Sequence, residues 1–259
     1  AEATTGVADV SRRRFGGLTT LERHIRTMVR AGVDRLLIVL PDEGEPKLGA
    51  LTRRLAVQLE FVRWGQTPET VFADDEHVLI LLGDHIHHHS SLSAFVQAGM
   101  GDRRLLAQVS PAPAQPGAFH GVQVTEAGLV CSEAHAEEDI VSTGAFLCVG
   151  ELAPQELITS RQQLLPFLAA RCTGEGVATL DGDMQLWRRV TDRASARQAK
   201  AMLFGQVTKK TSGPISRYIN ARISIPISKL LIETGISPHM VTVLFVLTTG
   251  LATAWLLRR

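Results

Sequence analysis

The chain has 259 residues, 45% of them hydrophobic and 20% charged, enough apolar content for one large domain or two smaller cores and too much for a disordered chain. Its formal net charge is +1, without the basic excess of a nucleic-acid binder, so nucleic acid is set aside as a partner. Cys131, Cys148 and Cys172 are odd in number, share no CxxC spacing and lie in or beside apolar runs, which excludes a disulfide framework and suits packed, reduced thiols in a cytosolic compartment.

The opening segment "AEATTGVADVSRRRFGG" has no basic-then-apolar signal pattern and starts at Ala1, so a trimmed N-terminus is expected. Its arginines, Arg12 to Arg14, read as a solvated face or as a phosphate contact. Thr19 followed three residues later by Glu22 is a capping-box pattern, and it opens a helix with Leu21, Ile25, Met28 and Val29 on one face and Gly32 as the stop. "RLLIVLP" is continuous rather than alternating, as a strand covered on both faces is. Leu48, Leu51, Leu55 and Leu59 mark a second helix, "EFVRW" and "HVLILLG" are further strands, and "SSLSAFVQAG" is a third short helix. "SPAPAQPGA" is a loop; "GVQVTEAGLVCS" is a hairpin turning at Ala127-Gly128, followed by the acidic loop "SEAHAEEDI". There Glu133 is either solvated or a contact to substrate or metal. "PQELITSRQQLLPFLAAR" is one long helix, and "RASARQAKAML" closes the region. Trp64 and Trp187 are expected in the core. The β-α-β succession over residues 1–205 predicts an α/β, doubly wound, mostly parallel but mixed sheet.

Residues 206–239 form a basic segment in which Lys209, Lys210, Arg217, Arg222 and Lys229 face the single acid Glu233. The stretch "ISRYINARISIPISKLLIETGISP" either lies along a membrane surface, its basic side chains near lipid phosphates, or is an ordinary amphipathic linker. Residues 240–257, "MVTVLFVLTTGLATAWLL", carry no charge and sit at the lower length limit for a helix that spans a bilayer. The basic side then predicts that residues 1–205 face the cytoplasm at the cytoplasmic membrane.

In an open α/β sheet, ligands bind beyond the carboxyl ends of the strands, and Asp84 falls one residue after such an end, in "HVLILLGDHIHHHSS". A carboxylate there suits Mg²⁺ or another divalent cation bridging nucleotide phosphates. The consecutive His87, His88 and His89 fit a closed zinc site less well, because adjacent residues point in different directions, and they read instead as solvated loop histidines.

"GGLTTLERHIRTMVRAGVDRLLIVLP", "VLILLGDHI", "STGAFLC" and the late tryptophan and valine before an alanine-rich helix resemble the sugar-phosphate and inositol-phosphate nucleotidyltransferases. "KKTSGPISRYINARISIPISKLLIETGISPHMVTVLFVLTTGLATAWLL" resembles the juxtamembrane region and first membrane helix of the CDP-alcohol phosphotransferases, particularly those with an N-terminal cytidylyltransferase-like domain. The resemblance implies a nucleotide ligand (CTP or a CDP-alcohol), a phosphorylated polyol, membrane lipids and a homodimer as partners. It implies Asp84 as the metal carboxylate, Gly16 and Gly17 before the helix behind the nucleotide, and Gly144 near the bound polyol. The family's glycine-rich triphosphate loop has no counterpart here. Its second metal aspartate follows the late valine directly; Thr191 stands there, with Asp192 one position on, and a one-residue shift along a strand turns a side chain to the other face. Asp192 remains the candidate second ligand. The DxxDGxxAR…GxxxD…D aspartates of the membrane reaction are absent from these residues and are expected on further membrane helices. The implied function is phospholipid or polyol-phosphate biosynthesis, with a soluble domain that is catalytic, weakened, or a non-catalytic nucleotide-binding or scaffold module.

Overall fold

The chain's computed structural model describes residues 14–15, 17–40, 48–49, 52, 54–112, 119–126, 128–134, 140–152, 155–160, 163–172, 176–207 and 238–258. They divide into two units, one of Leu18–Gln206 and one of Arg14–Gly17 with Val207–Arg259.

In the first unit, helix α1 (Thr20–Arg30) starts where the sequence predicts. The Glu22 N–H donates to Thr19 Oγ1 at 3.2 Å, and the Thr19 N–H returns to Glu22 Oε2 at 2.9 Å. Two of the helix's orphan donors are thereby satisfied. Gly32, at φ 97°, turns the chain into strand β1 (Arg35–Leu40). Strand β2 (Gln58–Arg63) pairs with β1 in parallel. Leu59 lies inside β2 and not on a helix, because its partner is Leu36 of β1 and strand pairing outweighs a four-residue leucine spacing. Next come β3 (His77–Leu81), β4 (His85–His87), helix α2 (His89–Ala98), β5 (Leu105–Pro111), β6 (Phe119–Thr125), β7 (Gly128–Ala134) and β8 (Ile140–Val149). Helices α3 (Gln155–Ser160) and α4 (Leu164–Arg171), strands β9 (Val177–Asp181) and β10 (Trp187–Arg189), and helix α5 (Arg193–Val207) complete the unit.

The single long helix expected at 154–171 is two. Gln163 takes an extended backbone (φ −77°, ψ 140°) and restarts the helix, which puts Pro166 in a first turn. In a continuous helix that proline would remove a hydrogen bond and clash with the preceding turn.

The main sheet runs β9-β5-β8-β6-β7, and β3 also pairs with β8. It is mixed as expected but not mostly parallel. Among the described residues only β9/β5 is a parallel pair within it; β5, β3 and β6 all run antiparallel to β8, and β6/β7 is the expected hairpin. Both faces are covered. Leu105, Ala107, Val109, Phe146 and Cys148 pack on one side against Leu157, Leu165 and Leu168 of α3 and α4. Leu106, Ala145 and Leu147 pack on the other against Leu92 and Phe95 of α2. This two-sided burial contributes about 1.5–3 kcal/mol for each large side chain and leaves every residue of β5 from Leu105 to Ser110 buried. Trp187 is fully buried and Trp64 packs beside the core. All three thiols are free, and burial pushes Cys148 up to about 12 and Cys172 up to about 11.

In the second unit, helix α6 (Pro238–Leu257) carries no acid or lysine or arginine, and its large apolar side chains are exposed, Leu244 at 65% and Leu257 at 82%. Its threonine hydroxyls bond inside the helix: Thr249 to the Phe245 carbonyl at 2.8 Å, Thr253 to that of Thr249 at 2.9 Å. Among the described residues no helix is long and apolar enough to cross a membrane.

Candidate functional site

Strand β8 builds the site by changing partners. Along one edge it pairs with β5, with a register shift between Ser142 and Phe146. On the other edge it pairs first with β6, through Val141 and Gly121, and then from Ala145 onward with β3. Gly144, at φ 81°, lies in the shift, a backbone conformation that glycine adopts without steric cost. β3 and β6 are therefore separated along one edge, and the chain leaving β3 turns there. The Leu82 N–H donates to the Gly144 carbonyl at 2.9 Å, and Gly83-Asp84 then turn into β4. The Val190 N–H donates to the Asp84 carbonyl at 2.7 Å, which draws the residues after β10 alongside.

Asp84 is 17% exposed and both its carboxylate oxygens are engaged: Oδ1 lies 2.7 Å from His85 Nδ1, and Oδ2 accepts from Arg189 Nε at 2.8 Å. Burial alone would raise the Asp84 carboxyl. The His85 imidazole and the Arg189 guanidinium more than reverse that and hold it well below the usual carboxylate range. The His85 ring is fixed from both sides: it stacks on Trp187 at 5.8 Å, and a Cβ added to Gly144 would come within 2.5 Å of its Cγ. Trp187 is itself anchored, its Nε1–H donating to Ser110 Oγ at 2.8 Å. Beneath the bulge, Thr143 Oγ1 donates to Gln108 Oε1 at 2.9 Å and Gln108 Nε2 to Ser91 Oγ at 3.3 Å, a buried row that ties β8 through β5 to α2.

Of the three histidines expected in a solvated loop, His87 is buried, whereas His88 and the exposed His89 stand at the start of α2. His85, Ile86 and His87 form β4, all buried, paired with Arg189, Arg188 and Trp187 of β10. Period-two alternation puts His85, His87, Trp187 and Arg189 on one face of that ribbon. His24, on α1, donates from Nε2 to the His85 carbonyl at 2.7 Å; burial pushes its pKa down. Neither ring nitrogen of His87 has a hydrogen-bond partner among the described residues. Burial pushes His87 down to about 3; the nearby Thr143 backbone offsets part of that shift without reaching hydrogen-bonding geometry. His88 caps α2, its ring nitrogen accepting from the Ser90 N–H at 3.3 Å.

These residues do not fit a divalent ion held between two carboxylates. Asp84 is occupied by a guanidinium, whose repulsion of a doubly charged ion within about 4 Å would be several kcal/mol. Thr191 brings no carboxylate. Asp192 Oδ1 accepts from the Ser195 N–H and hydroxyl, both at 2.7 Å, as the N-terminal cap of α5. Among the described residues no group of three His, Cys, Asp or Glu side chains is placed to hold a metal ion.

The structure thus brings together Asp84 and Gly144, the latter as the packing surface for His85, and makes Asp192 a helix cap. Gly17, at φ 80°, belongs to the second unit. Gly16, Lys209, Lys210, Arg217, Arg222 and Lys229 lie outside the described residues, and so does the side chain of Glu133. Sequence reasoning missed Arg189 and the pairing of His85 with Asp84.

No family model matches the chain. A bifunctional IPC transferase and DIPP synthase from Rubrobacter xylanophilus is 28% identical over 250 residues, covering 89% of this chain; the chain spans 56% of that relative's length. Among solved structures, the inositol-1-phosphate CTP transferase from T. maritima matches with a TM-score of 0.54 at 15% identity, over 82% of this chain and 92% of that one. A Bacillus anthracis protein assigned as a glucose-1-phosphate thymidylyltransferase matches with a TM-score of 0.55 at 11% identity, over 77% and 88%. The first unit has the nucleotidyltransferase-like α/β fold.

Proposed function

We propose that the chain is part of a membrane-bound CDP-alcohol phosphotransferase whose cytoplasmic nucleotidyltransferase-like domain, residues 1–205, binds an activated cytidine nucleotide rather than making one. The observation that supports this reading is the bifunctional relative: an alignment over 89% of the chain is longer than residues 1–207 and so extends into the basic segment that follows them. Within the domain, the opening between β3 and β6 is where ligands collect in α/β sheets, beyond a strand's carboxyl end. Asp84, Arg189 and Gly144 would border it as a site for CTP or a CDP-alcohol and the polyol phosphate.

The exposed apolar sides of α6 and its internally bonded threonines suit a helix in lipid, where every polar group must find a partner within the segment. Residues 206–239 would then lie at the surface, with Lys209, Lys210, Arg217, Arg222 and Lys229 near lipid phosphates, and the soluble domain would face the cytoplasm. Transfer of the phospho-alcohol to a second hydroxyl, in the homodimer that the resemblance implies, belongs to later membrane helices.

The reading frame after codon 259 tests this proposal directly. Further apolar spans carrying DxxDGxxAR and its partner aspartates are expected; a stop or a soluble module contradicts it. A second reading, a non-catalytic scaffold that binds no nucleotide, is favoured by one observation, the closed Asp84–Arg189 pair. Titrating the full chain in detergent with CTP and with CDP-inositol separates the two, because a scaffold binds neither.

A further inference from the structure

Strands β1 and β3 have the sequences of interior strands, yet each has one bare edge. Among the described residues β1 pairs only with β2 and β3 only with β8, so the opposite edge of each presents backbone N–H and C=O groups to no strand. Neither is built for an edge. A sheet edge that faces water is ordinarily blunted by a charge, a proline or a bulge; "LLIVL" and "VLIL" contain no charge or proline, and both pairings run without a register shift. Leu37, Ile38 and Val39 of β1 and Leu79, Ile80 and Leu81 of β3 are only half-buried, although continuous apolar runs belong to strands covered on both sides. The two bare edges lie beside one another. Arg35, the first residue of β1, reaches Glu76, the residue before β3, at 2.5 Å, with its guanidinium 5.3 Å above the Phe72 ring. The strands thus start within reach of one side-chain pair and still do not pair with each other, the relation of two strands that flank a third at roughly 10 Å. Helix α1 lies toward the same side, where His24 Nε2 donates to the His85 carbonyl just after β3.

We propose that the slot between β1 and β3 holds a strand of the protein's own chain that precedes Ala1, parallel to both, which joins the β1/β2 pair and the main sheet into one. Chain order selects this occupant. α1 runs through Gly32 into β1, and a strand placed before such a helix lies parallel to β1 and beside it, in a right-handed crossover. β2 already fills the other side of β1. Residues 1–17 do not read as that strand: Val7, Val10 and Phe15 are separated by Asp9 and by Arg12, Arg13 and Arg14, with no run of four apolar residues. The bifunctional relative has chain to spare, since this one spans 56% of its length. Parallel to β3, the added strand ends where Gly83-Asp84 turn, so the residues that follow it border the proposed nucleotide site.

The reading frame before codon 1 is determined, and the chain is prepared in detergent with and without the preceding residues. Amide hydrogen exchange is followed in β1 and β3, with β5 and β8 as internal references and sedimentation as the measure of oligomeric state. The expected upstream sequence contains a run of about four to eight apolar residues. Its presence slows exchange in both strands about tenfold or more, and a proline placed at the centre of the run removes that protection while β5 and β8 stay protected. An upstream frame without such a run, equal exchange in the two chains, or protection that survives the proline overturns the inference. Protection of both strands in a dimer of the shorter chain overturns it as well, because a second copy then fills the slot. None of these outcomes touches the nucleotide reading, which the titrations with CTP and CDP-inositol decide by themselves.

Discussion

At the scale of single residues, one glycine and two histidines carry much of the site. Gly144 has φ 81°, and a Cβ there would fall 2.5 Å from His85 Cγ. Gly144→Ala therefore adds a left-handed-region penalty to an overpacked ring contact, together about 3 kcal/mol, which urea unfolding will measure. His87 is buried with neither ring nitrogen bonded among the described residues, and its folded-state pKa of about 3 lies below the ordinary histidine value. As pH falls below about 6.5 the unfolded chain takes up a proton that folded His87 refuses, so stability falls, by up to about 1.4 kcal/mol per pH unit. His24 is shifted the same way; Asp84, held low, contributes stability that is lost only in the more acidic range below about pH 4. Unfolding measured from pH 6.5 to 4.5 should show a shallower decline in His87→Gln than in the wild type. Arg189 was not legible as the partner of Asp84, because the two are 105 residues apart and meet only through the pairing of β4 with β10. The bond between His85 and Asp84 was not legible, because adjacent strand residues ordinarily point apart and only the turn at Gly83 brings these two together.

At the scale of elements, local chemistry predicted starts better than extents. The capping box at Thr19 and Glu22 and the hairpin near Gly128 are written in short-range rules, and the structure has both. Leu59 and the split between α3 and α4 depended on tertiary pairing and on where Pro166 could be tolerated, which a helical periodicity does not report. Strand direction was hidden too, since a strand buried on both faces looks equally apolar in either orientation. Asp192 shows how a motif aspartate can be redirected: moved one place past the strand, it becomes the cap of α5. Asp192→Ala should cost about 1 kcal/mol of stability and leave nucleotide affinity unchanged, as paired thermal and calorimetric titrations will show.

At the scale of the whole molecule, the account joins a nucleotidyltransferase-like unit, whose fold the solved relatives share, to a tail proposed for the membrane. The fold class followed from the alternation of strands and helices, whereas the state of the site depended on a side chain 105 residues from Asp84 in sequence. The central claim is that this domain keeps the ligand opening of its fold but not the metal-dependent transfer. Pyrophosphate release from CTP and inositol phosphate in Mg²⁺, followed for the wild type and Asp84→Asn, tests it most directly. The account predicts no release above background in either protein. Mg²⁺-dependent release by the wild type that Asp84→Asn abolishes would contradict it.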